Sequence, residues 1–508
     1  MSVILLHPLY DAIKADWVIV RDCYAGEAAV KLKTSTYLPP TQGMILDGMD
    51  NANQTGYRMY EAYVLRAVWH DLYKEAVEAY IGLLHQKPPT ITLPTKLKDI
   101  KSNFGETPAQ LLRRVNEEQL VTGRLGLLCD LPTRPNLSNP LPYIAMYAAE
   151  AVRNWDVGED EGKQSILNYV VLDESGYERN LANPFQWDPV VRYRVCTLGN
   201  LVSQTDNAKY KTGLFTQTPA SGSLEFNQDN MKAPNIFGRE LDFIPFTFIN
   251  TKDNLPTPDK APLLGLANMM LAIYRGEADY RQNLFMQGQD TFVTIGGVKT
   301  TDTTDPDAPL RMGAGSRIDI EQGGDAKYVG VSSTGLPEQR SALQNDRSRA
   351  EVRAGQLVNA RVGDKESGEA LKTRLAAQTA TLTAIALSGA AGLEEALKNA
   401  ARWVGANPEE VKVEPNLEFS STLITGQDAL QMMQAKDLGF PVSYESLHEY
   451  AVDRGITKIS FTEEMERITR ERTMVSMFKD PIKQQNDEKD LDNQDPKNKP
   501  PATKPAQK

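Results

Sequence analysis

At 508 residues the chain is too long for one ordinary hydrophobic core, so several lobes are expected. Its 41% apolar and 24% charged residues are those of a folded soluble protein. The net charge of -11 argues against a duplex-wrapping protein, which needs a basic face to displace counterions, but leaves open one that lets nucleic acid pass without holding it. Cys23, Cys129 and Cys196 show no CxxC spacing and there are only four histidines, so no zinc framework is expected and the thiols suit a reducing compartment. The run from Val3 to Leu6 is too short for a signal core, and no apolar run approaches a membrane span, so cytosolic synthesis away from any membrane is expected.

In chain order, the spacing of Tyr60, Tyr63, Val64, Ala67, Val77, Tyr80, Ile81 and Leu84 predicts an amphipathic helix over Arg58 to Leu84, closed by Pro88 and Pro89. Thr107, Pro108 and Gln110 predict a capping box and a helix to about Val121. Strands are expected at Arg124 to Asp130, Ile166 to Leu172, Val190 to Leu198 and Asp242 to Ile249, giving an α+β lobe over residues 1–255. From Pro262, the apolar residues Leu264, Ala267, Leu271, Tyr274, Ala278 and Phe285 recur at helical spacing as far as Met286. The pattern then lapses from Gln289 to Leu336, where short strands are expected at Thr291 to Ile295, Ser316 to Ile320 and Tyr328 to Val331. Pro337 to Asn359 has helix composition with Pro in the first turn. A polar, glycine-bearing loop follows within Ala360 to Leu375, and Leu371, Leu375, Leu382 and Ile385 then predict another amphipathic helix. A strand at Val411 to Phe419 and short helices at Gly426 to Lys436, Ser443 to Arg454 and Phe461 to Met477 are expected before a polar tail, from Asp480, with the composition of disorder.

Chemistry-bearing motifs are scarce. Gly158 to Lys163 (GEDEGK) lacks the spacing and hydroxyl of a phosphate loop, and Asp302, Asp305 and Asp307 lack the glycine and distal glutamate of a calcium loop. His70 and His85 belong to no metal-binding pattern, and Cys129 reads as a buried structural thiol. No catalytic residue, metal or cofactor is expected. A site scattered through the α+β lobe is the rival enzyme reading.

Five stretches resemble tailed-bacteriophage portal proteins, the connectors between head and tail. They are HPLYDAIKADWVIVRDCYAGEAAVKLKTSTYLPP, YEAYVLRAVWHDLYKEAVEAYIGLLHQKPPTITLP, EEQLVTGRLGLLCDLP, IPFTFIN with APLLGLANMMLAIYRGEADY, and DKESGEAL from Asp364 to Leu371. The similarity covers most of residues 5–405, and the order of the motifs is more specific than any one of them. It implies a multi-lobed portal fold: wing over 1–260 and 371–425, two long stem helices at 261–288 and 337–359, a small β-rich clip at 289–336, a tunnel loop at 360–370, and a helical crown at 426–479. It also implies a ring, twelve subunits in proteins of this kind, at one capsid vertex. Double-stranded DNA would pass through its channel, driven in by a terminase that docks on the clip and is later replaced by tail adaptor proteins. Major capsid and scaffolding proteins would be further partners. The location implied is the virion, after assembly in the host cytoplasm. A tail adaptor or other ring-forming virion protein is the alternative.

The channel-facing candidates are Asp364, Lys365, Glu366, Ser367, Glu369 and Lys372, with Arg374 less sure; those of the clip are Asp302, Asp305, Asp307, Arg311 and Arg317. A pore for DNA must not grip it, since each neutralised phosphate adds affinity, and an acidic lumen repels the duplex toward the axis. Lys365 either touches phosphate transiently or meets only solvent and neighbouring subunits. Arg340, Arg347, Arg349 and Arg353 pose the same choice between DNA and pairing with Glu277, Asp279, Asp346 or Glu351.

Overall fold

The computed structural model describes residues 2–132, 141–159, 165–201, 209–217, 224–236, 238–288, 291–295, 298–299, 319–320, 322–329, 335–355, 368–419, 433–434, 436, 438–453 and 457–474. The chain divides into two compact units, Met1–Phe419 and Ser420–Lys508. The first is α+β. Its helices are α1 (Pro8–Ala25), α2 (Glu27–Leu32), α3 (Gln42–Leu46), α4 (Thr55–Arg66), α5 (Leu72–Leu84), α6 (Pro108–Val121), α7 (Leu264–Gln287), α8 (Leu336–Gly355) and α9 (Gly368–Val404). Its strands are β1 (Thr90–Thr92), β2 (Arg124–Asp130), β3 (Tyr143–Ala148), β4 (Val152–Glu159), β5 (Ser165–Asp173), β6 (Gly176–Arg179), β7 (Trp187–Val190), β8 (Arg192–Leu198), β9 (Tyr210–Thr216), β10 (Phe246–Asn250), β11 (Thr291–Ile295), β12 (Val298–Lys299), β13 (Asp319–Ile320), β14 (Asp325–Val329) and β15 (Lys412–Glu414).

The pairings between these strands are antiparallel, and a single parallel bridge joins Ser102 to Ile144 of β3. One sheet has the order β10-β2-β3, a second β4-β5-β8-β9, and four two-stranded ribbons pair β1 with β15, β6 with β7, β11 with β14 and β12 with β13. The β1–β15 ribbon sets Thr90 beside Glu414, so among the described residues the last strand closes onto the first. Asn416 strengthens this closure by donating to the Leu83 carbonyl at 3.1 Å.

Two large apolar cores dominate the unit, beside a smaller cluster that includes Val171, Tyr193, Val195 and Phe215. One packs α6 and the C-terminal half of α9 against both larger sheets; the other is helical, built from α1, α4, α5, α7 and the middle of α9. Both α1 and α9 run from one core into the other. Tyr10, Ile13 and Trp17 of α1 join the first core, and Val20 and Cys23 the second. In α9, Leu382 and Ile385 serve the helical core, and Leu393, Leu397 and Trp403 the sheet core.

Where α9 crosses between cores its sequence is unusually small. A Cβ on Gly389 would lie 2.6 Å from both the Asn116 amide nitrogen and the Gln119 amide oxygen, and one on Gly392 would lie 2.3 Å from Ile249 Cγ1. The close approach lets Ser388 Oγ and Gln119 Nε2 both donate to the Asn250 carbonyl, at 2.7 and 2.6 Å. Glycine costs a helix about 1 kcal/mol relative to alanine, so its presence here is explained by contact and not by propensity.

The capping box at Thr107 is present as expected: Thr107 Oγ1 accepts from the Gln110 N–H and Gln110 Oε1 from the Thr107 N–H. Other expectations are corrected. The helix expected over Arg58 to Leu84 is two, because Ala67 turns extended and Trp69 buries its ring against Tyr274 while its indole N–H donates to Asp71. His70 therefore lies between helices. Helix α1, which the periodicity of Tyr10, Ile13, Trp17 and Val20 could have revealed, is an addition. The strands near Asp242 and Val411 shrink to Phe246–Asn250 and Lys412–Glu414, and that near Tyr328 shifts to Asp325–Val329. Phe285 is 40% exposed, not core, with the Arg66 guanidinium 4.1 Å over its ring. Residues 368–370 are already helical, so Glu369 stands on α9 and not in a loop.

In the second unit, α10 (Tyr444–Asp453) is followed by a helical stretch at 461–474. Ser460 and Glu463 cap that stretch reciprocally, each side chain accepting from the other's backbone N–H. Most of the helix expected at Gly426 to Lys436, and the tail, lie outside the described residues.

Gly392→Val should lower the stability of the first unit by about 1–3 kcal/mol through overpacking, although valine is the better helix former. Urea unfolding checks this; a variant as stable as the parent would show that α9 is not pressed against β10.

Candidate functional site

The sequence candidates fall into two groups. Asp364, Lys365, Glu366 and Ser367, together with Asp302, Asp305, Asp307, Arg311 and Arg317, lie outside the described residues. Glu369 and Lys372 occupy the first turns of α9. What the structure does place are the helices leading to both segments, α7 and α8, with the short strands β11 to β14 between them in sequence.

Helix α7 has 24 residues, about 36 Å of axis at 1.5 Å per residue. One end is buried: Leu266, Ala267, Met270, Leu271, Tyr274 and Ala278 belong to the helical core. Polar contacts fix its outer half. Tyr63 donates to Asp279, Arg66 donates to Gln282, and the Arg275 Nε donates to the Tyr37 carbonyl at 2.8 Å. Helix α8 rests on α7 at two glycines. A Cβ on Gly276 would meet Leu343 Cδ2 at 2.8 Å, and one on Gly265 would meet the Arg353 guanidinium at 2.3 Å. Isolated glycines within a helical pattern are a legible sign of such approach, and the sequence reading passed over both.

Beyond those seats α8 is nearly bare. Of its 20 residues only Ala350 is buried. Four arginines, Arg340, Arg347, Arg349 and Arg353, stand against Glu338, Asp346 and Glu351, a local excess of positive charge in an acidic chain. Two of the expected pairings are present, Arg347 with Glu351 at 3.2 Å and Arg349 with Asp346 at 3.6 Å, both exposed and so worth little. Glu277 and Asp279 are not partners of these arginines within the chain: Glu277 faces His70 and Arg281, and Asp279 accepts from Tyr63. Arg353 and Arg349 line an open cleft of about 750 Å³ with Met269, Asn345, Ser348 and Val352. Within the chain, α8 is held by its packing on α7, by Ala350 and Ala354 against the helical core, and by its exposed ion pairs.

The strongly perturbed groups lie elsewhere, in ion pairs and buried ring contacts. Arg21 bridges Glu118 and Glu150, at 2.6 and 2.7 Å, tying α1 to α6 and to the start of β4. Burial raises the Glu118 pKa, with Arg21 opposing the shift. Arg194 spans Asp130 and Glu174, and burial likewise raises Asp130. Arg124, 1% exposed, is sandwiched by the Trp155 and Phe248 rings at 4.2 and 4.8 Å, and burial lowers its pKa to about 9. None of these groups is set beside an activated nucleophile. Among the described residues no group of three or more His, Cys, Asp or Glu is placed to hold a metal ion, and no helix is long and apolar enough to cross a membrane.

One family model, described as a domain of unknown function (DUF4055), matches residues 262–404, a span running from just before α7 to the end of α9. No curated protein matches. Among solved structures, a chain of the virion of a native gene transfer agent (GTA) particle is 15% identical, over 81% of this chain and 98% of that one, at a TM-score of 0.37. A chain of the neck of the native GTA particle, computed with C12 symmetry, is 14% identical over 76% of this chain and 89% of that one, at 0.35.

The three cysteines are all fully buried. Burial pushes the Cys23 thiol up to about 12 and Cys196 to about 11, and raises Cys129 further. A nucleophilic cysteine needs the opposite, an exposed thiolate. The folded protein should therefore be inert to a disulfide reagent near neutral pH, with three thiols titrating only in denaturant; rapid reaction of one thiol in the native state would favour the enzyme reading.

Proposed function

We propose that this chain is a portal protein: one subunit of a ring set into a single capsid vertex, through which double-stranded DNA enters during packaging and leaves at ejection. The observation that supports this most is the order of α7, a small β insertion, α8, a charged glycine-bearing segment and the long α9, combined with an α8 that buries only Ala350 within its own chain. A stem helix packed beside its counterpart in the next subunit would cover such a surface. The arginine-rich faces of neighbouring α8 helices would then find carboxylates across the interface.

In this reading 289–336 is the clip, which receives terminase and then tail adaptors through Asp302, Asp305, Asp307, Arg311 and Arg317. Residues 360–367 form the tunnel loop that leads into α9, and α7 and α8 are the stem. The flanking wing comprises the α+β lobe and α9, and the second unit supplies the crown. The chain acts as a conduit and hydrolyses nothing; the motor is a separate ATPase. Its acidic balance would keep the duplex centred, and Lys365 and Lys372 would touch phosphate briefly without retaining it. Twelve copies are proposed for the ring.

Negative-stain microscopy of the purified protein should show turbine-shaped rings with a central hole, and a persistent monomer or a closed shell would sink the proposal. Deleting residues 364–368 should leave rings intact while lowering the DNA packaged or retained per particle. Normal packaging by that deletion would remove the loop from the mechanism.

A further inference from the structure

Arg124 opens β2 and places its guanidinium where the two larger sheets meet. The guanidinium carbon lies 4.2 Å from the Trp155 ring of β4 and 4.8 Å from the Phe248 ring of β10. Nε, Nη1 and Nη2 are all buried, and among the described residues none of them has a hydrogen-bond partner. The acids of the neighbouring ion networks are committed elsewhere, Glu118 and Glu150 to Arg21, Asp130 and Glu174 to Arg194. Asn250, directly opposite on the β2–β10 ladder, donates its amide to Asp253 Oδ1 and to the Leu255 and Thr257 carbonyls.

Such a group is costly. Even with its pKa lowered to about 9 by burial, the guanidinium is charged at neutral pH. An ionised group taken out of water without an opposite charge is among the least favourable things a core can hold. The two rings offset part of this cost through their π faces. They lie against the faces of a planar group, however, and its five N–H donors point outward in its plane. Water in that plane would satisfy the donors and leave the charge uncompensated.

The surroundings define what kind of partner fits. Arg124 is 1% exposed, Trp155 4% and Phe248 5%, and His7 stacks on Trp155 with ring centroids 4.0 Å apart. Neither a side chain of another protein nor a nucleic-acid phosphate reaches a group so enclosed, whereas a small ion enters through local opening of the fold. The charge to be balanced is single. His7, the nearest other basic group, is held below its ordinary pKa by burial and by the charge of Arg124, so it is neutral at neutral pH.

We propose that Arg124 binds a small monovalent inorganic anion of the chloride type, held in the plane of the guanidinium between Trp155 and Phe248. The ion is a structural ligand: it neutralises the one cation that β2 buries between rings of both sheets and so tightens their junction. The site needs neither DNA nor a second copy and is independent of the ring reading.

Thermal unfolding after equilibration in sodium chloride or sodium gluconate at equal ionic strength tests this. The parent's midpoint should rise saturably with chloride, on the order of a few degrees, because the ion binds only the folded state. Arg124→Met should give the same midpoint in both salts, and the comparison is between salts for each protein, so any intrinsic stability change of the variant drops out. A second measurement needs only proteins that keep the guanidinium. Bromide bound beside Trp155 should quench its fluorescence with a saturable dependence, and Trp155→Phe should lose that component. Equal parent midpoints in the two salts would overturn the proposal, as would bromide quenching that is linear throughout. A chloride effect undiminished in Arg124→Met would place the ion elsewhere and overturn the assignment.

Discussion

The close passage of α9 between two cores is the constraint on which the rest of the first unit depends. Its middle belongs to the helical core and its C-terminal half to the sheet core, so any displacement of this helix disturbs both. Gly389 and Gly392 permit contact at the crossing, and the Asn250 carbonyl gathers donors from α6 and α9 there. Buried polar groups are tolerated only when paired, so this junction fixes position more than it adds stability. Segments on either side of α9 are thereby aligned by a single rigid rod.

Two part-buried ion networks extend the same logic across sequence. Arg21 connects α1 to α6 and to the segment entering β4, and Arg194 connects the two larger sheets through Asp130 and Glu174. Breaking one partner of such a group leaves an uncompensated charge, which costs more than the intact pair contributes. These groups hold the elements in register, and burial is the largest cause of their perturbed protonation.

Much of the fold was legible where local chemistry decides it. The Thr107 capping box, β2 and the buried stripe of α4 and α5 follow from residue order alone. The break at 67–71 did not, because it is set by Trp69 finding Tyr274 on a helix two hundred residues away. The strand ends near Asp242 and Val411 were overextended for a related reason: apolar runs there continue past the ladder to fill the core. The candidate site was legible only as an order of segments. Its arginines on α8 find few partners within the chain, so their use is decided by what lies outside it, and the glycine seats at Gly265 and Gly276 became meaningful only once Arg353 and Leu343 were seen against them.

The ribbon that sets Thr90 beside Glu414 bears on how the protein is made. A strand near the start of the chain must wait for one near the end of the unit. At about 5–20 residues per second that wait lasts on the order of tens of seconds during synthesis. Throughout it the lobe lacks its β1 partner, together with the α9 half that fills its sheet core. A polypeptide released before Glu414 lacks the strand that pairs with β1, so completion of this unit is tied to translation of nearly its whole length.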